Sequence, residues 1–136
     1  MNWIGMVAAV TAFLGIWAGH VAVRKTEYTA SSIRLPMLAA IIFGLVLLFL
    51  SLFTHYRLSS VVFGILGVIA LWDAFELVRQ QRRVRKGHAP ANPDNPRHAA
   101  MLAAPGSQAT TVDLLKREPL GRSVSADEAL ELAIES

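Results

Sequence analysis

The sequence predicts an all-α membrane protein with three transmembrane helices, an outside amino terminus and a cytoplasmic carboxyl-terminal tail. Hydrophobic residues make up 54% of the 136 residues and charged residues only 17%, which is unusual for a soluble fold of this size. The apolar residues cluster in residues 3–23, 35–53 and 58–78, each close to the roughly 20 residues that a helix needs to cross about 30 Å of hydrocarbon. In the second stretch the hydroxyl of Ser51 is the only polar side-chain atom, so none of its faces suits water.

The first stretch is expected to be a retained span rather than a secretory signal. Only Met1 and Asn2 precede it, no Lys or Arg forms a basic n-region, and the apolar run is longer than that of a signal peptide. Cysteine is absent from the chain, so disulfides and thiolate metal sites are not expected.

The distribution of Lys and Arg predicts the orientation. Residues 24–34 contain three basic residues, residues 54–57 contain one, and a run of five follows the third stretch (Arg79, Arg82, Arg83, Arg85 and Lys86). With three alternating helices, both basic-rich segments fall on the same side, which the positive-inside rule assigns to the cytoplasm. The sequence thus predicts a multi-pass protein of the cell inner membrane.

The third helix is expected to continue beyond the lipid and to end near Gly87. Residues 76–86 are good helix formers, and glycine is a common helix stop. Residues 1–88 therefore form the predicted three-span domain. Three prolines then make residues 89–97 a Pro-rich connector rather than more helix.

Residues 98–136 are predicted to form a cytoplasmic tail that is disordered or partly helical. In this segment three basic residues stand against six acidic ones, and the composition shifts to Ala, Ser, Thr, Gly and Pro. Ser125 and Glu128 have capping-box spacing, which is compatible with a short amphipathic helix over residues 125–135. Because an acidic helix is repelled by anionic lipid, it would suit a cytoplasmic protein partner. The alternative is a solvated tail with only transient helix.

Small residues predict where the spans pack. They recur at steps of three and four along the first span (Gly5, Ala8, Ala12, Gly15 and Gly19), and a shorter set including Gly64 and Gly67 lies on the third. In lipid, close backbone approach and dispersion hold helices together. Two interpretations stay open, namely packing of the first helix against the third and contact with another subunit. The short second loop makes the second and third helices neighbours.

A polar cluster is predicted at the cytoplasmic edge of the spans. Its members are His20, Lys25, Glu27, Asp73, Glu76, Arg79 and Arg83. Such a set could bind a divalent cation, accept a proton or clamp a partner. The favoured interpretation is an ion-pair network that fixes helix depth, because the spacing matches no dedicated metal motif. His20 and His55 are expected at opposite membrane faces, so no haem, cofactor or metal is predicted.

The sequence resembles an uncharacterised family, a domain of unknown function found in small bacterial multi-span inner-membrane proteins. The resemblance covers residues 1 to about 97. Its strings are MNWIG at residues 1–5, AFL at 12–14, His20 followed by VRKTEY at 23–28, ILGV at 65–68, LW at 71–72, EL at 76–77, RVRKG at 83–87 and PANP at 90–93. It implies a multi-span membrane fold and offers no activity. It also implies that the polar edge belongs to the family pattern, through His20, Lys25, Glu27, Tyr28, Trp72, Glu76, Arg83, Lys86 and Gly87.

The predicted function is that of a non-enzymatic accessory or scaffolding subunit in a larger membrane assembly. Its expected partners are the lipid bilayer, another membrane protein or a second copy, and a cytoplasmic protein for the tail. The alternatives are a self-assembling, holin-like protein that permeabilises the membrane and a small ion or proton transport component. No enzyme is predicted, because the sequence lacks a catalytic triad pattern, a glycine-rich phosphate loop and a metal-binding helix motif. Nucleic acid is not expected, because a basic run directly after a span is typical of a retention signal.

Overall fold

The computed structural model describes residues 3–113, and this part of the chain consists of helices and turns without a strand. The helices are α1 (Trp3–Thr29), α2 (Arg34–Phe53), α3 (Arg57–Arg85) and α4 (Pro96–Ala103). The first three are long and apolar enough to cross a membrane. The predicted fold class is therefore confirmed and the chain is a multi-pass membrane protein, whereas the direction in which it crosses stays a prediction.

The helices α1 and α3 are longer than the hydrocarbon layer requires. Their 27 and 29 residues correspond to about 40 and 43 Å at 1.5 Å per residue, against about 30 Å of hydrocarbon. The surplus lies at both carboxyl ends, where charged residues begin with Arg24 in α1 and Asp73 in α3. These ends lie together, and we call residues 24–34 and 76–113 the polar end of the protein.

The helix α3 is central, since it packs against both α1 and α2. It meets α2 at two glycines. A Cβ atom on Gly44 would lie 2.9 Å from the carbonyl oxygen of Gly67, and one on Gly67 would lie 3.0 Å from that of Gly44. Farther from the polar end, the hydroxyls of Ser51 and Ser60 each donate a hydrogen bond of 2.8 Å to the other residue's carbonyl oxygen. Close backbone approach and interhelical hydrogen bonds therefore hold α2 to α3.

The helix α1 meets α3 through the carboxyl-terminal half of its small-residue stripe. A Cβ atom on Gly15 would lie 2.7 Å from Cδ1 of Ile69, and one on Gly19 would lie 2.7 Å from Oδ1 of Asp73. Gly5, at the other end of the stripe, has nothing within 4 Å of such an atom. The close contacts of this stripe with α3 therefore lie at Gly15 and Gly19, toward the polar end, whereas Gly5 faces open space.

Two small residues of α3, Gly64 and Gly67, face α2. A Cβ atom on Gly64 would lie 3.2 Å from the hydroxyl oxygen of Ser51, and Gly67 lies against Leu48 and the Gly44 backbone. The first and third helices thus pack together, with Gly15 and Gly19 of α1 against larger side chains of α3. Glycines of α1 instead form a groove that larger side chains of α3 fill. The remaining stripe residues, Ala8 and Ala12, are partly buried.

The helix α3 ends at Arg85, with Lys86 as its C-cap, and the next residue is Gly87, at which the sequence predicts a stop. Gly87 has a φ of +70°, which glycine adopts at no steric cost. Its amide donates to the carbonyl of Val84, and the amide of His88 donates to that of Arg83. This pair of bonds is the Schellman arrangement, which satisfies carbonyls that a helix end leaves free.

Beyond Gly87 the chain turns back onto α1, and a short helix, α4, begins at Pro96. Asn95 begins α4 by accepting a hydrogen bond of 3.0 Å from the amide of Arg97, and Pro96 occupies the first helical turn. Both are favourable at a helix start. The amide of Ala91 also donates to the carbonyl of Thr110. The predicted helix over residues 125–135 lies outside the described residues.

Candidate functional site

The most buried charged group of the described chain is the carboxylate of Glu27, on the last turn of α1, whose residue is 1% exposed. Its Oε1 accepts hydrogen bonds from Nη1 of Arg97 at 2.7 Å and from Nε2 of His98 at 3.0 Å. Nη2 of Arg97 also donates to the Glu27 carbonyl oxygen. A buried carboxylate is costly unless it is paired and hydrogen-bonded, and two residues of the returning chain meet this requirement.

The hydrogen bonds of His98 assign its tautomer. Its ring is fully buried, and Nδ1 accepts a bond of 2.9 Å from the amide of Asn92. Because a backbone amide can only donate, Nδ1 carries no proton and the ring proton lies on Nε2, which donates to Glu27. Tyr28 packs edge-on against the ring, with 6.3 Å between centroids. In this arrangement His98 is a neutral donor, and Arg97 supplies the positive charge.

Two asparagines complete the contact by binding the end of α1. Nδ2 of Asn92 and Nδ2 of Asn95 donate to the carbonyl oxygen of Tyr28 at 3.2 and 3.1 Å. Asn95 also donates to the carbonyl of Ala30 at 3.0 Å. Carbonyls at a helix end have no partner within the helix, so Asn95 satisfies the end of α1 and the start of α4 at once. We call Glu27, Asn92, Asn95, Arg97 and His98 the Glu27 cluster.

A second buried carboxylate, Glu76, is paired along α3. Its residue is 5% exposed, and Arg83 donates to its Oε1. Nε of Arg79 lies 3.6 Å from Oε2, and Nη1 of Arg83 donates to Oε1 of Gln80 at 2.7 Å. These spacings place all four side chains on one side of the helix. They form an ion-pair network along one helix, which is the kind of structure that the sequence favours for the polar edge.

The structure distributes the predicted polar cluster over several places. Glu27 joins the chain returning after α3, whereas Glu76, Arg79 and Arg83 pair with one another. Asp73 lies against Gly19 in the contact between α1 and α3. The exposed His20 bonds through Nδ1 to the carbonyl of Ile16 at 2.9 Å, and Lys25 is exposed without an ion pair among the described residues. Within residues 3–113, no three His, Cys, Asp or Glu side chains are grouped to hold a metal ion.

Sequence reasoning missed the partners of Glu27. Arg97 and His98 lie 70 and 71 positions away, in a segment expected to be a connector and tail. A local signal for part of this was present, since Asn95 followed by Pro96 is a favourable cap and first helical residue. It indicates a helix start, although it does not indicate which surface that helix contacts.

Residues 2–95 of the chain match the family described as Domain of unknown function (DUF4491). The chain belongs to this family, and the resemblance found in the sequence is confirmed. No curated protein and no solved structure shows a significant match. The matched region contains Glu27, Asn92 and Asn95 and ends just before Arg97 and His98.

Proposed function

We propose that this protein, as a member of that family, is a non-enzymatic accessory or scaffolding subunit of a larger assembly in the cell inner membrane. Its folded polar end would be the surface that a partner recognises, on the cytoplasmic side. The observation that carries this proposal is the Glu27 cluster. It uses a buried carboxylate, guanidinium and imidazole to hold residues 92–98 in one position against α1.

The use of these polar groups favours a structural role over a catalytic one. Glu27 is directed toward Arg97 and His98, and Glu76 toward Arg79 and Arg83. Each carboxylate is thus occupied by neighbouring cations or donors rather than directed at a shared point where a reacting atom could lie. Such groups fix the shape of a surface.

A surface that is ordered before binding lowers the entropic cost of association with a partner. Binding costs the entropy of every segment that must be ordered, so a segment that is already ordered binds more tightly for the same contacts. In this protein the return of the chain is ordered by bonds from Asn92, Asn95 and Arg97 to the end of α1. That order supports a docking role for the polar end.

The helix arrangement supports a partner within the membrane as well. Val68, Trp72 and Phe75 follow one another along α3 at helical spacing and are each more than half exposed, although α3 is the central helix. The rings of Trp72 and Phe75 lie 5.6 Å apart. A span of another subunit would find on this face an apolar surface of large side chains against which it could pack by dispersion.

The test is purification of the full chain from native membranes in mild detergent, with cross-linking and mass spectrometry. We expect a companion membrane protein at a fixed ratio, and its loss in Arg97→Gln, which releases the Glu27 cluster. The matched control is Arg57→Gln, which removes an exposed cation of the same type at the opposite end of α3, outside the polar end. A solitary monomer without a companion would contradict the proposal, as would equal loss in both variants.

A second candidate function, a small ion or proton transport component, is favoured by one observation. The carboxylate of Asp73 lies on α3 against Gly19 of α1, next in sequence to His20, and an ionisable group in a span is expensive enough to suggest a function. Proton flux into liposomes containing the purified chain tests this candidate. Flux that is abolished by Asp73→Asn would favour transport over scaffolding, whereas an absence of flux, or flux that Asp73→Asn leaves intact, would remove Asp73 as a pathway residue.

A further inference from the structure

A cavity of about 590 Å³ lies at the polar end, between the carboxyl-terminal turns of α1 and α3. The residues His88 to Pro90, just beyond α3, line it as well, and so do Thr111 and Asp113. Its volume falls within the range of roughly 300–1,000 Å³ that is common for small-molecule sites. Neither the Glu27 cluster nor the proposed partner surface requires such a space.

The lining of this cavity is basic. Arg24 and Lys25 of α1 and Arg83 of α3 contribute positive charge, and His88 adds an imidazole. Arg24 and Lys25 have no ion pair or side-chain hydrogen bond within residues 3–113. Adjacent cations without counter-charges repel one another, and a bound anion would relieve that repulsion.

The net charge of the lining stays positive when its two carboxylates, Glu27 and Asp113, are counted. Glu27 borders the cavity, but its charge is already compensated by Arg97, which is not part of the lining. Asp113 is a single carboxylate against Arg24, Lys25 and the partly paired Arg83.

The negative end of the α1 dipole is also covered. The last carbonyls of a helix carry partial negative charge and would repel an anion. However, the carbonyls of Glu27 and Tyr28 in α1 accept hydrogen bonds from Arg97 and Asn92, and that of Ala30, just beyond the helix, accepts one from Asn95. On the side of the cavity formed by α1, the positive charges of Arg24 and Lys25 therefore outweigh the partial negative charge of the helix carbonyls.

We propose that this cavity binds an anionic phosphate ester, with the headgroup of an anionic phospholipid as the favoured source. Arg and Lys are the side chains that proteins use for phosphate, Arg through paired hydrogen bonds and Lys as a point charge. Basic pockets between spans at the membrane surface are suited to such headgroups. The position of the cavity relative to the membrane also fits a headgroup. Val21, at the end of the apolar stretch, and Tyr28, just beyond it, both line the cavity, so the cavity lies where the span meets the polar end.

Two double variants of the full chain test the site with equal changes in charge. Arg24→Gln with Lys25→Gln removes two lining cations, and Arg34→Gln with Arg82→Gln removes two exposed cations outside the cavity. Native mass spectrometry of each protein in mild detergent, with equal amounts of phosphatidylglycerol and phosphatidylcholine of the same acyl chains, measures the preference for the anionic lipid. Titration with glycerol 3-phosphate and inorganic phosphate in phosphatidylcholine nanodiscs measures soluble binding.

We expect the wild type to prefer phosphatidylglycerol and the lining variant to lose about 30-fold of that preference, because each basic residue near anionic lipid contributes roughly fivefold. The control variant should retain it. Binding of glycerol 3-phosphate with the same dependence on Arg24 and Lys25 would also support the site and identify a soluble ester as its ligand. The proposal is overturned if the wild type neither prefers phosphatidylglycerol over phosphatidylcholine nor binds the soluble phosphates. It is also overturned if both double variants weaken binding equally. Unchanged thermal unfolding would show that the variants are folded, which is expected because none of the four side chains has an ion pair or hydrogen bond to lose within residues 3–113.

Discussion

Replacing Glu27 with Gln tests the physical basis of the polar end most directly. The variant keeps the size and an acceptor oxygen of the side chain but removes its charge, which leaves the Arg97 guanidinium without a counter-ion. The side chains of Glu27 and Arg97 are 1% and 13% exposed. Removing one partner of a buried ion pair destabilises proteins by about 3–5 kcal/mol, mainly because a charge stays buried and unpaired.

We expect a smaller value, about 2–3 kcal/mol, because Arg97 is not fully buried and the carbonyl of Glu27 still accepts a bond from it. The loss should be local. The spans are held by their own contacts, so the chain can release residues 92–103 without unfolding α1 to α3. A cost of this size raises the population of the open state about 30- to 140-fold.

Amide hydrogen exchange in detergent measures that opening at defined positions. The amide of Asn92 donates to His98, and the amide of Ala99 donates to the carbonyl of Asn95 at 2.8 Å. Both should exchange about 30- to 140-fold faster in Glu27→Gln, whereas amides in the middle of α1 should be unaffected.

The double variant Glu27→Gln with Arg97→Gln completes the cycle. It contains no unpaired charge, so its exchange should be slower than the two single variants predict together, by about 1–3 kcal/mol of coupling. Wild-type exchange rates at Asn92 and Ala99 in the Glu27→Gln protein would refute the argument, and so would strictly additive effects.

Three further predictions concern the packing of the same structure. Replacing Gly67 with Leu should lower the melting temperature in detergent, at a cost of about 1–3 kcal/mol for overpacking, because a Cβ atom there already meets Leu48 and the Gly44 backbone. The control Gly5→Leu places its side chain in open space and should leave the melting temperature unchanged. Replacing Ser51 and Ser60 with Ala, singly and together, should give a coupling of about 0.6–1.7 kcal/mol in thermal unfolding, and strictly additive losses would show that the reciprocal bonds contribute nothing. Replacing Asn95 with Ala should accelerate exchange at Ala99 by about 5- to 30-fold, because roughly 1–2 kcal/mol of capping is lost, with Asp94→Ala, an exposed neighbour, as the control.

The spans were predictable because the cause of a transmembrane helix is local. Twenty consecutive apolar residues suit lipid whatever the rest of the chain does, so the composition of residues 35–53 is sufficient to identify α2. The stop at Gly87 is local for the same reason, since it depends on the backbone freedom of one residue. Such features require no knowledge of what lies across the fold.

The packing partners were less predictable, because a small residue indicates that something comes close without indicating what. Gly15 contacts the large side chains of Leu66 and Ile69, whereas Gly67 contacts the backbone of Gly44. The two kinds of contact need the same residue type and the same spacing. Only the three-dimensional arrangement distinguishes a groove that a side chain fills from a crossing of two backbones.

The Glu27 cluster was the least predictable feature, because its cause lies in the return of the chain. A carboxylate about one turn beyond a span normally remains in water. Arg97 lies in a Pro-rich segment that gives no reason to expect burial. Burial of both becomes favourable only when Asn92 and Asn95 bind the end of α1. The charges and the segment that covers them therefore stabilise each other. Neither the burial of the charges nor the return of the segment can be predicted from its own stretch of sequence.

Glu27 also connects the two proposals made for this protein, since this residue lines the basic cavity and its carboxylate is paired with Arg97. When residues 92–98 are released, Arg97 no longer compensates that carboxylate, and the cavity gains a negative charge. Opening of the Glu27 cluster must then weaken the binding of an anion in the cavity. By thermodynamic reciprocity, a bound anion must stabilise the closed cluster to the same extent. A headgroup in the cavity would thus favour the surface that a partner recognises, and this coupling would link lipid composition to assembly through a single side chain.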